Sequence, residues 1–218
     1  MTLPFSHGQF LDVFGRYNET LWPAALVLWL FTAGFVVQLL RGRDVAGVWM
    51  SALLAVHWLW AGLAYHLAYF RAINPAAVIF GAVFVLQGGL LAWRGVARRD
   101  LPFRVSTSGW SRIGLALVTY ALLYPAIALA SGLAYPRTPT FGVPCPTGIL
   151  TCGILLLAPP SAARWVAPIP LLWALVGGSA AFVLDIRADL ALVAAGVFLL
   201  TFLARPSTRR RVGGHKES

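Results

Sequence analysis

Apolar residues fall into seven continuous runs, and short polar connections separate these runs. An α-helix needs about 20 apolar residues to cross the hydrocarbon core of a bilayer. Six runs are near that length, whereas the fifth is short. The pattern predicts an all-α, polytopic bundle of seven transmembrane helices, the fifth of them short or broken. The runs cover residues 21–40, 46–69, 75–93, 110–131, 146–158, 164–184 and 188–204.

Residues 1–20 precede the first run and have the pattern of an amphipathic helix. Ser6 and Gln9 have the spacing of a capping box, and Phe5 and Phe10 have that of a hydrophobic staple. These features predict an interfacial helix on the outer membrane surface, with a soluble cap as the alternative. The apolar residues Phe10, Val13, Phe14 and Tyr17 share one face of this helix.

The composition identifies the bilayer as the solvent of this chain. The 218 residues are 59% hydrophobic and only 11% charged, which is too few charges to cover the core of a water-soluble domain. In a soluble domain, the formal net charge of +10 would favour nucleic acid as a partner. Here the basic residues lie in short clusters between apolar runs, which is typical of membrane topology. The predicted partner is therefore the lipid bilayer, and no nucleic acid is expected.

The distribution of basic residues predicts the orientation of the chain. With seven crossings, 13 of the 17 Lys and Arg residues fall on one side, and without the fifth crossing the division becomes 9 against 8. Basic residues gather on the cytoplasmic side of membrane proteins. The N-terminus is therefore predicted outside and the C-terminus in the cytoplasm. Residues 21–204 are predicted to form the membrane domain, and residues 205–218 are expected to be a disordered basic tail. The tail and the arginine-rich loop before the fourth run are expected to bind anionic lipid headgroups.

Cys145 lies between Pro144 and Pro146 at the start of the short fifth run. A residue before proline favours an extended backbone, so Cys145 is predicted to cap a half-length helix with Pro146 as its first residue. The free N–H groups of that helix and the thiol would then face the outer side. Three functions fit such a site: a soft-metal ligand, a redox thiol and a helix terminus that receives an anionic solute. A proline-rich outer loop with a small buried cysteine fits as well.

Two histidines of the second run are further candidates. His66 lies near its outer end, at the level of Cys145, and a His/Cys pair could bind a soft or borderline metal. Such a site needs further ligands, and only distant candidates such as Asp185 and Asp189 are present. An interfacial polar role for His66 is the alternative. His57 lies near the middle of the run, where it hydrogen-bonds a neighbouring helix or carries protons. Asp185 and Asp189 otherwise serve the start of the last helix, Asp185 as its cap and Asp189 at its positive end.

Several short segments, spread over most of the chain, resemble a family of bacterial integral membrane proteins that is catalogued only as a domain of unknown function. The segments are, in order, "WLWAGLAYH", "INPAAVIFG", "AYPRTPTFGVPCPTGILT" and "IPLLWALVGG". The most specific piece is a Phe-Gly-x-Pro-Cys-Pro-Thr motif at residues 141–147. The resemblance implies a multi-spanning protein of the bacterial inner membrane and brings no established activity with it. The residues that match family positions are His66, Asn74, Tyr135 and Cys145.

The expected function is that of a transporter or permease-like protein for a small solute or ion, with an outward-facing site at the broken fifth helix. The alternatives are a membrane oxidoreductase or accessory factor that depends on the Cys145 thiol or on a metal, and a structural subunit of a membrane complex. The motifs Gly-x-Ser-x-Gly and His-Glu-x-x-His do not occur, so the sequence favours a non-enzymatic role and leaves cofactor and metal undetermined. The predicted binding residues are His57, His66, Asn74, Tyr135, Cys145 and Thr147.

Overall fold

The structure is a computed structural model, and it describes residues 4–41 and 47–205. Within these two ranges the chain consists of helices and connecting turns and contains no strand. The predicted all-α class is therefore confirmed. The predicted basic tail lies outside the described residues except for Arg205. The helices are α1 (His7–Leu40), α2 (Gly47–Trp60), α3 (Ala77–Leu91), α4 (Gly109–Ala130), α5 (Pro144–Leu155), α6 (Pro160–Ala163), α7 (Pro168–Val183) and α8 (Leu190–Leu203).

Several of the helices are extended by segments of different pitch. α2 continues as a π-helical segment, Ala61–Leu67, and a 3₁₀ turn, Phe70–Ala72, follows it. α3 continues as a second π-helical segment, Ala92–Ala97. A 3₁₀ turn, Arg187–Asp189, leads into α8. With these extensions, four helical stretches are long and apolar enough to cross a membrane, which supports the membrane class that the composition predicts. They are His7–Leu40, Gly47–Ala72, Ala77–Ala97 and Gly109–Ala130.

The start of α1 has the predicted local structure. The Ser6 side chain accepts a hydrogen bond from the Gln9 backbone N–H (3.2 Å), and the Ser6 N–H donates to Gln9 Oε1 (2.7 Å). These two bonds satisfy donors that the first helical turn would otherwise leave free. The rings of Phe5 and Phe10 lie 5.9 Å apart, as the staple spacing predicts. The capping box is therefore confirmed.

The sequence predicts a separate interfacial segment at residues 1–20, but α1 continues past residue 20. α1 is one helix of 34 residues, and it accommodates Pro23 in its interior. Its predicted membrane-facing side is covered by the chain itself, because the Phe14 ring lies 5.5 Å from the Tyr65 ring. The amphipathic pattern thus corresponds to packing of α1 against the end of the second helical stretch.

α5 is enclosed by the rest of the bundle. Of its 12 residues, all but Cys145 are buried, and α2, α4, α7 and α8 pack around it. The crossing with α4 is close, since a Cβ atom built on Gly114 would lie 2.6 Å from the carbonyl oxygen of Gly153. A run too short to span lipid by itself is therefore surrounded by protein, where irregular backbone at either end is tolerated.

Candidate functional site

The first turn of α5 differs from the prediction. The cap residue is Val143, with an extended backbone (φ −82°, ψ 164°), and Pro144, Cys145 and Pro146 are the first three helical residues. The predicted start, with Cys145 as the cap, is thus two residues too late. Proline is accommodated throughout this turn because the first N–H groups of a helix have no partner within it.

This arrangement removes most of the donors that an anion would need. Pro144 and Pro146 have no N–H group, and the Thr147 N–H donates to the Val143 carbonyl oxygen (3.3 Å). Of the first four helical residues, Cys145 alone therefore keeps a backbone N–H outside the hydrogen-bond pattern of the helix. Anion recognition at helix N-termini uses several such groups together. The geometry disfavours an anionic solute at this helix end.

A buried carboxylate lies next to this turn. Asp189 ends the 3₁₀ turn before α8 and is 5% exposed, and the thiol of the half-buried Cys145 faces its carboxylate. The Tyr124 hydroxyl of α4 donates a hydrogen bond to Asp189 Oδ1. Among the described residues, Asp189 forms no ion pair. We refer to Tyr124, Cys145 and Asp189 as the Asp189 cluster.

Of the two predicted roles at the start of α8, the position of Asp189 at the positive end of the helix is confirmed, whereas Asp185 is not the cap residue. Asp189 precedes α8, but its side chain makes no cap hydrogen bond because it is turned toward α4. Asp185 is exposed and lies 3.9 Å from Arg187, with a left-handed backbone (φ 49°). The connection is further held by the Tyr120 hydroxyl, which donates to the Ala188 carbonyl oxygen (2.9 Å).

His66 lies in a shell of aromatic rings. It is 1% exposed, and the ring centroids of Phe70, Phe80, Phe84 and Trp173 are 5.9, 5.7, 4.8 and 5.4 Å from its own. Neither imidazole nitrogen has a hydrogen-bond partner among the described residues, and the same holds for the indole nitrogen of Trp173. Buried polar atoms in native structures are nearly always paired, so these three require an explanation.

The aromatic shell begins one helical turn beyond the Asp189 cluster along α5 and α8. Gly148 follows Cys145 by one turn of α5, and Leu192 follows Asp189 by one turn of α8. A Cβ atom built on Gly148 would lie 2.9 Å from Leu192 Cδ1 and 3.1 Å from Trp173 Cδ1. The Trp173 ring is thus packed directly beyond the Asp189 cluster, and His66 lies on that ring.

Tyr65 adjoins His66. It is buried, and its ring centroid lies 5.4 Å from that of His66. His66 and Cys145 have separate environments. Each residue has its own immediate neighbours, which are aromatic rings for His66 and a carboxylate for Cys145.

The remaining predicted residues have separate environments. His57 Nε2 lies 2.9 Å from Thr32 Oγ1 of α1, which is the predicted hydrogen bond between helices. Asn74 Oδ1 accepts from the Ala76 N–H (3.1 Å) of its own turn, and Tyr135 is 58% exposed. Thr147 is buried, and its hydroxyl has no partner among the described residues.

The geometry also bears on the metal-site alternative. In the described part of the chain, no three His, Cys, Asp or Glu side chains come together in a group that could hold a metal ion. The Asp189 cluster supplies two such side chains, Cys145 and Asp189. Cys145 and Cys152 are both free thiols, and Cys152 is fully buried in the core.

In its described residues the chain is thus all-helical, with four helical stretches long and apolar enough to cross a membrane and a buried polar cluster at the start of a short, enclosed helix. The chain belongs to a family of unknown function (DUF6064), whose model matches residues 7–213. The prediction of a family without an assigned function is confirmed. No curated protein and no solved structure matches the chain.

Proposed function

We propose that the protein is a permease-like protein of the bacterial inner membrane, which moves a small solute or ion past the start of α5. The observation that supports this function is the Asp189 cluster. An ionisable side chain within a membrane bundle is unfavourable unless it is paired, and such residues commonly mark substrate or ion pathways. Here three elements, α4, α5 and the turn before α8, contribute one polar side chain each to that cluster.

The path of the chain after α5 supports seven crossings in this proposal. Leu156, Leu157 and Ala158 continue α5 as buried, irregular chain. The Arg104 N–H donates to the Leu157 carbonyl oxygen (2.9 Å), so the far end of α5 reaches the arginine-rich connection before α4. The positive-inside rule assigns that connection to the cytoplasm. The Cys145 end then faces the periplasm, with the N-terminus outside and the C-terminus inside.

Contacts between arginines and tryptophan rings at one end of the bundle support the same orientation of the chain. The guanidinium carbons of Arg94 and Arg205 lie 5.1 Å from the Trp165 ring and 4.6 Å from the Trp110 ring. Tryptophan is enriched at membrane interfaces, and arginine near such a belt can contact anionic headgroups. We therefore assign the arginine-bearing end of the bundle to the cytoplasmic headgroup layer.

A flux measurement with a matched pair of cysteine variants tests this function. The purified protein is reconstituted into liposomes, and stopped-flow light scattering follows permeation of urea, glycerol, potassium acetate and methylammonium chloride. We expect at least one probe to enter faster than in protein-free liposomes, and a bulky thiol-reactive maleimide to slow it. Cys145→Ser should be insensitive to the reagent, whereas Cys152→Ser should be slowed like the unmodified protein. No protein-dependent flux, or inhibition that persists in Cys145→Ser, would contradict the proposal.

The orientation has its own test. A membrane-impermeant thiol reagent added to intact spheroplasts should label Cys145 from the periplasm and leave Cys145→Ser unlabelled. A reporter fused after Ser218 that is active only in the cytoplasm should be active. A fusion that is active only in the periplasm would require an even number of crossings.

A further inference from the structure

We propose that the arginine-bearing end of the bundle binds a phospholipid with two phosphate groups, of the cardiolipin type. One phosphate lies at each of two groups of arginines. The first arginine group is Arg94 and Arg98, and the second arginine group is Arg164 and Arg205. A general attraction to anionic lipid would need neither fixed arginines nor two phosphates on one molecule. Binding requires that this end lie at the level of the headgroups, and it does not depend on permeation.

Two exposed tryptophan rings lie beside the first arginine group. The guanidinium carbon of Arg94 is 5.1 Å from the Trp165 ring, and that of Arg98 is 5.4 Å from the Trp93 ring. The two rings are 63% and 52% exposed. Both arginines pair with one carboxylate oxygen of Asp100, at 3.0 and 3.6 Å. Because a single carboxylate serves two guanidinium groups, one positive charge of the first arginine group stays uncompensated.

The second arginine group lies at the C-terminal end of α8. Arg164 Nη2 donates to the carbonyl oxygens of Leu203 (2.8 Å) and Arg205 (3.4 Å). The guanidinium carbon of Arg205 lies 4.6 Å from the Trp110 ring. Arg164 and Arg205 are exposed, and neither of them forms an ion pair among the described residues. Both positive charges are therefore available to an anion.

The connection between α6 and α7 joins the two arginine groups. Trp165, which contacts Arg94, directly follows Arg164 in the chain, so their Cα atoms are about 3.8 Å apart. The Gln87 side chain of α3 donates to the Val166 carbonyl oxygen (2.9 Å) and holds the same connection against the bundle. The two arginine groups thus belong to one continuous surface, where two phosphates of a single molecule can bind together.

The charge and polarity of this surface match a lipid with two negative charges. Its four guanidinium groups face one carboxylate, that of Asp100. Arginine binds phosphate oxygens through paired N–H groups, and basic pockets at the cytoplasmic side of helical bundles suit such headgroups. Exposed indole rings favour the boundary between headgroups and acyl chains, which a soluble diphosphate would not provide. The other carboxylates of the described residues belong to the first half of α1 and to the connection before α8, namely Asp12, Glu19, Asp185 and Asp189.

Native mass spectrometry of the full-length protein in detergent tests this binding. It counts the bound lipids after titration with cardiolipin, phosphatidylglycerol or phosphatidylcholine at matched phosphate concentration. We expect cardiolipin to bind at least about tenfold more tightly than phosphatidylglycerol, because its two phosphates engage both arginine groups at once. Phosphatidylcholine should bind most weakly. Inorganic phosphate at millimolar concentration should not displace cardiolipin.

Variants with matched charge changes locate the binding residues. Arg164→Gln combined with Arg205→Gln should weaken cardiolipin binding about tenfold or more and remove the preference over phosphatidylglycerol. Arg16→Gln combined with Arg71→Gln removes the same charge from exposed residues of α1 and of the 3₁₀ turn after α2, and it should change neither. Arg164→Lys combined with Arg205→Lys keeps the charges and should keep the preference. A single symmetric peak in size exclusion verifies the fold of each variant.

Three outcomes would overturn the inference. Equal affinity for cardiolipin and phosphatidylglycerol would leave only a general attraction to anionic lipid. An equal loss of binding in the Arg16→Gln and Arg71→Gln protein would assign the effect to net charge. Displacement of cardiolipin by inorganic phosphate would make phosphate itself the ligand. Because bound lipid is measured directly, a lack of flux in the liposome experiment would remove the permease function and leave the lipid site in place.

Discussion

Tyr124 donates a hydrogen bond to the carboxylate of Asp189 across 65 positions of the sequence, and both side chains are buried. The bond links the C-terminal half of α4 to the turn that precedes α8. It satisfies a carboxylate with a neutral donor, and no Lys or Arg side chain among the described residues pairs with that carboxylate. The Cys145 thiol on the enclosed helix α5 faces the same carboxylate. Asp189 thus connects the start of α5 to the start of α8, and it is the central side chain of the candidate site.

Tyr124→Phe should destabilise the protein by about 1–3 kcal/mol, because it leaves a buried carboxylate oxygen without its donor. Unfolding by sodium dodecyl sulfate, followed by circular dichroism, measures the change. The control is Tyr120→Phe, which removes a half-buried bond to a backbone carbonyl and should have a smaller effect. Tyr124→Phe should destabilise the protein less when Asp189 is already replaced by Asn, since the carboxylate is then absent. Equal losses of stability in both tyrosine variants would show that the hydrogen bond to the carboxylate stabilises the protein no more than the bond to the backbone carbonyl.

The hydrogen bond between Thr32 and His57 should contribute to the packing of α1 on α2. A double-mutant cycle with Thr32→Val and His57→Phe should give a coupling free energy of about 0.6 kcal/mol, the typical value for hydrogen bonds between transmembrane helices. Thr201→Val serves as the control because Thr201 is exposed and bonds only within its own helix. Zero coupling would mean that the two side chains do not interact in the membrane.

The contact of α4 with α5 depends on two glycines. A Cβ atom on Gly114 would lie 2.6 Å from the Gly153 carbonyl oxygen, and one on Gly153 would lie 2.8 Å from the Gly114 oxygen. Either alanine variant should force the helices apart and cost about 1–3 kcal/mol of unfolding free energy. Gly34→Ala and Gly89→Ala, where nothing lies within 4 Å, should be neutral or slightly stabilising. Loss of stability at all four positions would point to a general intolerance of alanine.

Much of the fold could be predicted because hydrophobic runs and cap residues act locally. Each apolar run contains a helix in the structure, and the capping box at Ser6 forms as its spacing requires. Two boundaries were wrong, since α1 continues through residue 20 and α5 starts at Pro144 instead of Pro146. In both places packing against other helices decides the boundary, and a rule based on neighbouring residues does not include that packing.

The candidate site was only partly predictable for the same reason. Cys145 stands out because two prolines flank it, and His66 because it interrupts an apolar run. Tyr124 gave no such signal, and Asp189 was predicted only at the start of the last helix or as a further metal ligand, since the relation of the two residues arises from helices that are far apart in sequence. The nearest hint is that Tyr120 and Tyr124 are one turn apart on α4, and both hydroxyls bind the connection before α8. Paired tyrosines on one face of an apolar helix are therefore worth examining as partners of a distant carboxylate.

The connection between α4 and α5 should depend on Asn18, a buried residue of α1. Its Nδ2 group donates to the carbonyl oxygens of Pro136 (2.5 Å) and Thr138 (2.7 Å), and its Oδ1 accepts from Thr140 Oγ1 (2.5 Å). Asn18→Ala removes all three bonds, each worth about 1 kcal/mol. The connection should then open at least about tenfold more often, since about 1.4 kcal/mol corresponds to a factor of ten.

Limited proteolysis measures that opening, because the exposed Arg137 lies inside the connection. Trypsin should cleave after Arg137 faster in Asn18→Ala, whereas cleavage after the exposed Arg71 in the same digest should keep its rate. Asn74→Ala is the matched control, since Asn74 bonds only within its own turn. If both asparagine variants are cleaved after Arg137 at the original rate, the connection is held by other contacts, such as the ion pair of Arg137 with Asp12 (2.5 Å).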